Sequence, residues 1–280
     1  MEGTPHTFLT RNIAESDNTA HSRAGAMAKG FSGSIVGGAI VYGQMIRPLV
    51  ERFGLSWLGR SWAEVRFKSP AYDGDRLETR IDTDGEEGRP AEVTSPSSGA
   101  SYRLRTFNAE GVELVEMRAG QLAALQPPDP RWALDPVEWH GNRLEGTWER
   151  MVVDQPFRCF RWSVTLEEQL DYCEATAEDL AVYREGPLPP AHPGLLLAQG
   201  SHVVSNQFVM PFWIHASSRL LYRKVIRVGD AVELRCLPID KWKRGANEWV
   251  RFYQVYLVDG EPAVEVWKTS VIKVAKRSDS

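Results

Sequence analysis

Residues 65–81 read VRFKSPAYDGDRLETRI, and residues 219–236 read RLLYRKVIRVGDAVELRC. Both contain Gly-Asp, then one residue, an aliphatic, Glu, one residue and Arg: Gly74-Asp75-x-Leu77-Glu78-x-Arg80 and Gly229-Asp230-x-Val232-Glu233-x-Arg235. A Gly-Asp turn that feeds an alternating run is the grammar of a strand entered from a tight turn. Downstream, Gly111-Val112-Glu113-Leu114-Val115-Glu116 matches Gly260-Glu261-Pro262-Ala263-Val264-Glu265 in spacing. Each is a turn between two alternating runs, 103–119 and 252–274. The two matches are offset by 155 and 149 residues. A similar offset with small insertions is what a duplicated unit leaves behind.

Each half carries a long helix ahead of its strands. In the first half it runs from Gly38 to Phe53, with Val41, Met45 and Leu49 on one face, Pro48 as a possible kink and Gly54 as the C-terminal cap. In the second half its counterpart is Leu195 to Val209, ended by Pro211. A shorter helix opens at Thr165, where Thr165 and Glu168 form a capping box. The acidic, Gly/Ser-rich stretch from Asp82 to Ala100 reads as a mobile hairpin loop. The division expected is 1–125 for the first unit, 126–153 for a Pro- and Trp-rich linker held on the surface, and 154–280 for the second unit. A helix followed by antiparallel strands gives an α+β unit in which the sheet wraps the helix. Two such units can join edge to edge and hide two sheet edges.

The stretch ahead of the first long helix is the most informative about chemistry. Residues 16–21 read Ser16-Asp17-Asn18-Thr19-Ala20-His21, and residues 30–38 read Gly30-Phe31-Ser32-Gly33-Ser34-Ile35-Val36-Gly37-Gly38. This order resembles the MaoC-like hydratase/dehydratase family in its double, tandem hot-dog form, over nearly the whole chain. The family's pattern is D-x-N-P-x-H, then G-F-x-x-x-I-V-H-G at the head of the long helix. Asn18, His21, Gly30, Phe31, Ile35, Val36 and Gly38 fall on it. Two positions depart: Ser16 stands where the family has its catalytic aspartate, and Gly37 where it has a histidine. Residues 175–183 look like an eroded second copy, with Glu178 at the aspartate position and Tyr183 at the histidine position.

The resemblance implies one active site, built mainly from the first half, that adds or removes water at the 2,3 position of an acyl thioester carried on CoA or on phosphopantetheine. His21 would be the base and acid, and Asn18 would orient it. The Gly38 N–H, with Gly37 beside it, would hold the developing oxyanion at a helix N-terminus. Asp17 or Glu15 would stand in for the carboxylate missing at Ser16. Tyr42, one turn into the helix, would line the pocket or donate a hydrogen bond. No metal and no redox cofactor are needed. Two other functions compete: a hot-dog thioesterase using Glu15 or Asp17 to activate water, and an acyl-thioester-binding protein without turnover. His202 and His215 read as structural or pocket-lining. Trp242, Lys243 and Arg244 read as a solvated hairpin tip, or else as a clamp on a substrate phosphate.

The composition limits the alternatives. Of 280 residues 42% are hydrophobic and 25% charged, and the net charge is −4. With no long Lys/Arg block, neither nucleic acid nor an anionic membrane is an expected partner. The three cysteines, Cys159, Cys173 and Cys236, are scattered, without the spacing of a zinc site or a disulfide scaffold. The N-terminal residues lack the apolar core of a signal peptide, and the longest apolar run, Ser34 to Met45, is too short and too broken to span a bilayer. A cytoplasmic protein is expected, with a homodimer possible.

Overall fold

The structure is a computed structural model that describes residues 4–13, 17–84, 101–138 and 141–276. The first half runs β1 (His6–Leu9), a 3-10 turn (Thr19–His21), α1 (Arg23–Ala28), α2 (Gly38–Phe53), α3 (Leu55–Gly59), β2 (Ser61–Phe67), β3 (Arg76–Asp84), β4 (Ser101–Phe107) and β5 (Glu113–Gln121). A connecting segment holds a second 3-10 turn (Pro130–Ala133) and the two-residue strand β6 (Leu144–Glu145). The second half runs β7 (Phe160–Ser163), α4 (Leu166–Ala175), α5 (Ala181–Arg184), α6 (Pro193–Ser205), β8 (Phe208–Val209), β9 (Ile214–Tyr222), β10 (Ala231–Arg244), β11 (Asn247–Val258) and β12 (Glu261–Lys273).

Ten strands form one antiparallel sheet in the order β1-β3-β4-β5-β2-β9-β12-β11-β10-β7. The order reads the same way outward from its middle. There β2 of one half pairs β9 of the other, from Ser61 opposite Tyr222 to Arg66 opposite Ser217. Edge-to-edge joining therefore hides one edge of each unit. The sheet wraps α2 and α6, and one continuous apolar core takes side chains from both halves, including Met45, Leu49, Leu196 and Val203. This is an α+β, double hot-dog architecture.

Local bonding repeats at the 155-residue offset. The Asp75 carboxylate accepts the Tyr72 N–H at 2.8 Å, and the Asp230 carboxylate accepts the Arg227 N–H at 2.8 Å. Gly74 and Gly229 between them have φ of 87° and 94°, where a side chain would be strained. Val36 N–H reaches the Ala71 carbonyl, and Ala191 N–H the Ile226 carbonyl. Isolated bridges Ile35 to Tyr72 and Pro190 to Arg227 complete the pattern. In each half these contacts pin the chain just before the long helix to the turn that enters a strand.

The two long helices cross at glycines. A Cβ on Gly43 would come 3.1 Å from Gly194 Cα and 2.8 Å from His192 Cε1. α2 has the expected bounds, includes Pro48 and ends where Gly54 takes φ of 55°. α6 differs from expectation. It starts two residues earlier, because His192 Nδ1 accepts the Gly194 N–H and Pro193 suits the first helical turn. It stops at Ser205, because Phe208 and Val209 are drawn into a parallel bridge with Leu144 and Glu145. The N-cap arm of the capping box forms: Thr165 Oγ accepts the Glu168 N–H at 3.1 Å. Of the expected Asp82–Ala100 loop, residues 82–84 belong to β3 and 85–100 lie outside the described residues.

Candidate functional site

The site begins with a short polar turn. Asn18 caps the 3-10 turn through its Oδ1, which accepts the Ala20 N–H at 3.2 Å. The same side chain reaches into the other half. Its Nδ2 donates to the Trp213 carbonyl at 2.9 Å, and its Oδ1 accepts the Trp213 N–H at 3.2 Å. Thr19 adds N–H and hydroxyl bonds to the Pro211 carbonyl at 2.8 and 2.7 Å. A carbonyl only accepts and an N–H only donates, so these partners fix which end of the Asn18 amide is nitrogen.

That orientation decides the state of His21. Its Nδ1 lies 2.7 Å from the Ile35 carbonyl and so carries the proton. Its Nε2 lies 3.3 Å from Asn18 Nδ2, a donor, and so presents a lone pair. Burial lowers the His21 pKa below the usual histidine value, against the Ile35 carbonyl, which raises it, and with the charge of Lys268, which lowers it further. A neutral imidazole with an unprotonated Nε2 is the form of a general base at pH 7.

Beside it stands the N-terminus of α2. Gly37 offers no side-chain cap. The N–H groups of Ile40 and Val41 turn back to the Gly37 carbonyl at 2.9 and 3.4 Å. The amides of Gly38 and Ala39 are the first-turn donors with no intrahelical acceptor, and they lie at the positive end of the helix dipole. A Cβ on Gly37 would sit 3.7 Å from His21 Cε1. A Cβ on Gly38 would meet Phe67 Cζ at 2.9 Å and His215 Nδ1 at 3.0 Å. Crowding by these two rings therefore requires a glycine at 38.

His21, Gly37 and Gly38 open onto a cavity of about 1020 Å³. Its apolar wall includes Phe31, Ile35, Ile40, Phe67 and Leu195, and its polar wall includes Asp17, Glu168, Ser201, His202, His215 and Lys268. Both halves contribute. A cavity that is mostly apolar with a few convergent polar groups suits a small organic ligand.

The expected site residues divide as follows. Asn18, His21, Gly37 and Gly38 converge. Asp17 lies on the cavity wall, largely exposed, and pairs with Arg143 at 2.5 Å. Ser16 and Glu15 lie outside the described residues. Tyr42 is placed differently from expectation. It does not line the cavity, because its ring is fully buried in the core between the halves, where its hydroxyl bonds Tyr222 at 2.8 Å and burial drives its pKa up. The KWKRG stretch is the β10–β11 hairpin tip. Trp242 stacks on Trp249 there, and Lys243 pairs with Glu248 at 3.0 Å. Lys268 was not singled out from sequence. The available signal was a lysine in phase with Val264, Val266 and Ile272 along one strand.

The corresponding place in the second half is filled. His192 stands 155 residues after Gly37, and the rings of Tyr183 and Tyr172 lie 4.4 and 4.8 Å from it. Glu178 Oε2 is 3.5 Å from His192 Nε2, with both side chains closed to solvent. Burial opposes ionisation of Glu178, but His192, the Leu180 N–H and Arg47 outweigh it and hold its pKa below the usual value. Arg47 reaches across from α2 at 2.8 Å. None of Glu178, Tyr183 and His192 lines the cavity.

No family model matches the chain. No curated protein matches it either. Solved structures do. A MaoC-like dehydratase superposes with a TM-score of 0.59 at 12% identity, over 95% of this chain and 97% of its own. A conserved hypothetical protein of Mycobacterium tuberculosis with a double hot-dog fold gives 0.61 at 13% identity, over 96% of each chain. An acyl-ACP thioesterase from Bacteroides thetaiotaomicron gives 0.50 at 9% identity, over 96% of this chain and 97% of its own. These likenesses establish the double hot-dog fold.

Proposed function

On this double hot-dog frame, we propose that the protein is an acyl-thioester hydratase/dehydratase, a hydro-lyase acting at the 2,3 position of an acyl group carried on CoA or phosphopantetheine. The observation that carries the reading is His21, held neutral with its Nε2 lone pair turned to the Asn18 amide and its ring edge beside Gly37 at the start of α2. In hydration, His21 Nε2 takes a proton from water and the hydroxyl bonds to C3. The C2–C3 π pair moves onto the thioester oxygen as an enolate, stabilised by the Gly38 N–H and the dipole of α2. The enolate then collapses, C2 takes the proton from the imidazolium, and one water has been added. With serine at position 16, one group performs both transfers. Asp17, beside the cavity, orients the water. The chemistry needs no metal and no redox cofactor.

The test is a panel of 2-enoyl-CoA and 3-hydroxyacyl-CoA thioesters followed by mass spectrometry, with His21→Ala and Asp17→Asn run in parallel. Gain or loss of water that disappears with His21→Ala supports the reading. Water chemistry that survives His21→Ala refutes the role of His21.

A thioesterase is the second reading. Glu168 favours it, because this carboxylate lines the cavity and burial raises its pKa, against bonds from Thr165 and Gln199 that lower it. A carboxylate of that kind can activate water for attack on the thioester carbonyl, with Gly38 again holding the oxyanion. Release of free thiol from the same panel would select this reading. Binding without any mass change would leave an acyl-thioester-binding protein.

A further inference from the structure

Of the two described lysines on the cavity wall, Lys68 and Lys268, only Lys268 is buried. It sits on β12, paired to Ser218 of β9 and Phe252 of β11, and it is 2% exposed. Its ammonium donates to Ser201 Oγ at 2.9 Å and lies 5.2 Å over the Trp213 ring. No described carboxylate is paired with it. The titratable groups that act on it or feel it are Cys236 on β10, His202 on α6, His215 on β9 and His21, and no carboxylate is among them. Burial lowers its pKa to about 8, so it remains mostly cationic at neutral pH. An ammonium taken out of water with only one hydroxyl and one indole face as partners is a costly arrangement unless an anion completes it.

Its position says which part of a ligand would supply that anion. Trp213 holds Asn18 with its backbone and faces Lys268 with its ring. The cation and the His21 end of the cavity therefore flank one tryptophan. His215 touches the start of α2 and bonds Ser218, the strand partner of Lys268, at 2.7 Å. Lys268 thus lines the same cavity as His21 and Gly38, where the acyl part of a thioester held at Gly38 would meet it. A purely hydrocarbon tail there would leave the ammonium both desolvated and unpaired.

We propose that Lys268 is the receptor for an anionic group at the tail of the acyl chain, so that the cavity selects thioesters of dicarboxylic acids. This rests on the reading of the cavity as a thioester site, but not on the reaction performed there.

The experiment measures binding without turnover. Glutaryl-CoA and pentanoyl-CoA have the same chain length and differ in a terminal carboxylate, and both are saturated at C2–C3. Calorimetric titration of the full-length protein should give at least tenfold tighter binding of glutaryl-CoA, and Lys268→Met should bring the ratio close to one. Equal affinities in the wild type, or a preference that survives in Lys268→Met, would overturn the assignment. The wild-type comparison stands even if the variant folds poorly. A carboxylate preference with no water chemistry on unsaturated analogues refutes the proposed reaction and supports Lys268. Water chemistry with no tail preference does the reverse. Failure of both thioesters to bind overturns the thioester site and this assignment together.

Discussion

Both ring nitrogens of His21 are fixed at the site. Its proton is committed to the Ile35 carbonyl, and its lone pair faces an amide that can only donate. Replacing it with alanine should lower the rate of water addition by about 10²–10⁴-fold, the usual contribution of a general base. The pH profile is a sharper test. If one imidazole both takes and returns the proton, kcat/KM should show a single acid limb. Burial shifts the His21 pKa downward, so the limb should fall below pH 6.5, the ordinary histidine value. Initial rates across pH check this, and a bell-shaped profile would point to a second titrating group. Asn18 and His21 were singled out by their resemblance to the MaoC-like pattern, and the structure sets them on one 3-10 turn. Tyr42 was misplaced because its helical position was known but not the direction of its face. One turn into α2 points at the cavity or at the core according to where β9 places Tyr222.

Among the elements, α2 connects most of the structure. It presents its N-terminus to the cavity, its glycine face to α6 and Arg47 to the buried Glu178. Gly43→Ala would push a methyl against His192, the Tyr172 hydroxyl and the Gly194 backbone at 2.8, 2.9 and 3.1 Å. The backbone of α6 cannot yield as a flexible side chain can. The expected cost is about 1–3 kcal/mol, seen as a lower thermal midpoint. Arg47→Met would leave the Glu178 carboxylate closed to solvent without its guanidinium partner. Breaking a fully buried pair costs about 3–5 kcal/mol. The guanidinium is partly solvated and His192 remains nearby, so about 2–3 kcal/mol is expected, less than a fully buried pair. Urea midpoints for Arg47→Met and for Arg47→Met/Glu178→Gln would measure it, with the double variant recovering part of the loss.

For the whole molecule, the β2–β9 seam and the shared core make the halves parts of one sheet. Thermal unfolding should be a single transition seen alike by far- and near-ultraviolet circular dichroism. Two separated transitions would show that the halves fold independently. Acid should destabilise the fold for a specific reason. His6, His21, His192, His202 and His215 all have pKa values lowered chiefly by burial. As pH falls below about 6.5 the unfolded chain binds protons that the folded rings resist, so stability drops. Above that value these rings are neutral in both states and contribute no slope. Urea midpoints at about pH 7.5 and about pH 5.5 should differ in that direction, and an unchanged midpoint would refute it.

The sequence by itself determined the repeated unit, the bounds of α2, the capping box at Thr165, the hairpins and the Asn18–His21–Gly38 order. The helix bounds, the capping box and the hairpins rest on neighbours a few residues apart, where turn chemistry and periodicity act directly; the repeat rests on matched spacing, and the Asn18–His21–Gly38 order on resemblance to a known pattern. The tertiary structure alone decided that β2 and β9 form the seam and that Trp213 fixes the Asn18 amide. It also decided that Tyr183 and His192 fill the second-half counterpart of the site, and that Lys268 lies inside the cavity instead of in solvent. Each of these depends on groups tens to nearly two hundred residues apart, brought together by packing two helices under one sheet. A strand's alternation can place a lysine on a face, but only the assembled sheet shows whether that face meets solvent, a carboxylate or a cavity wall.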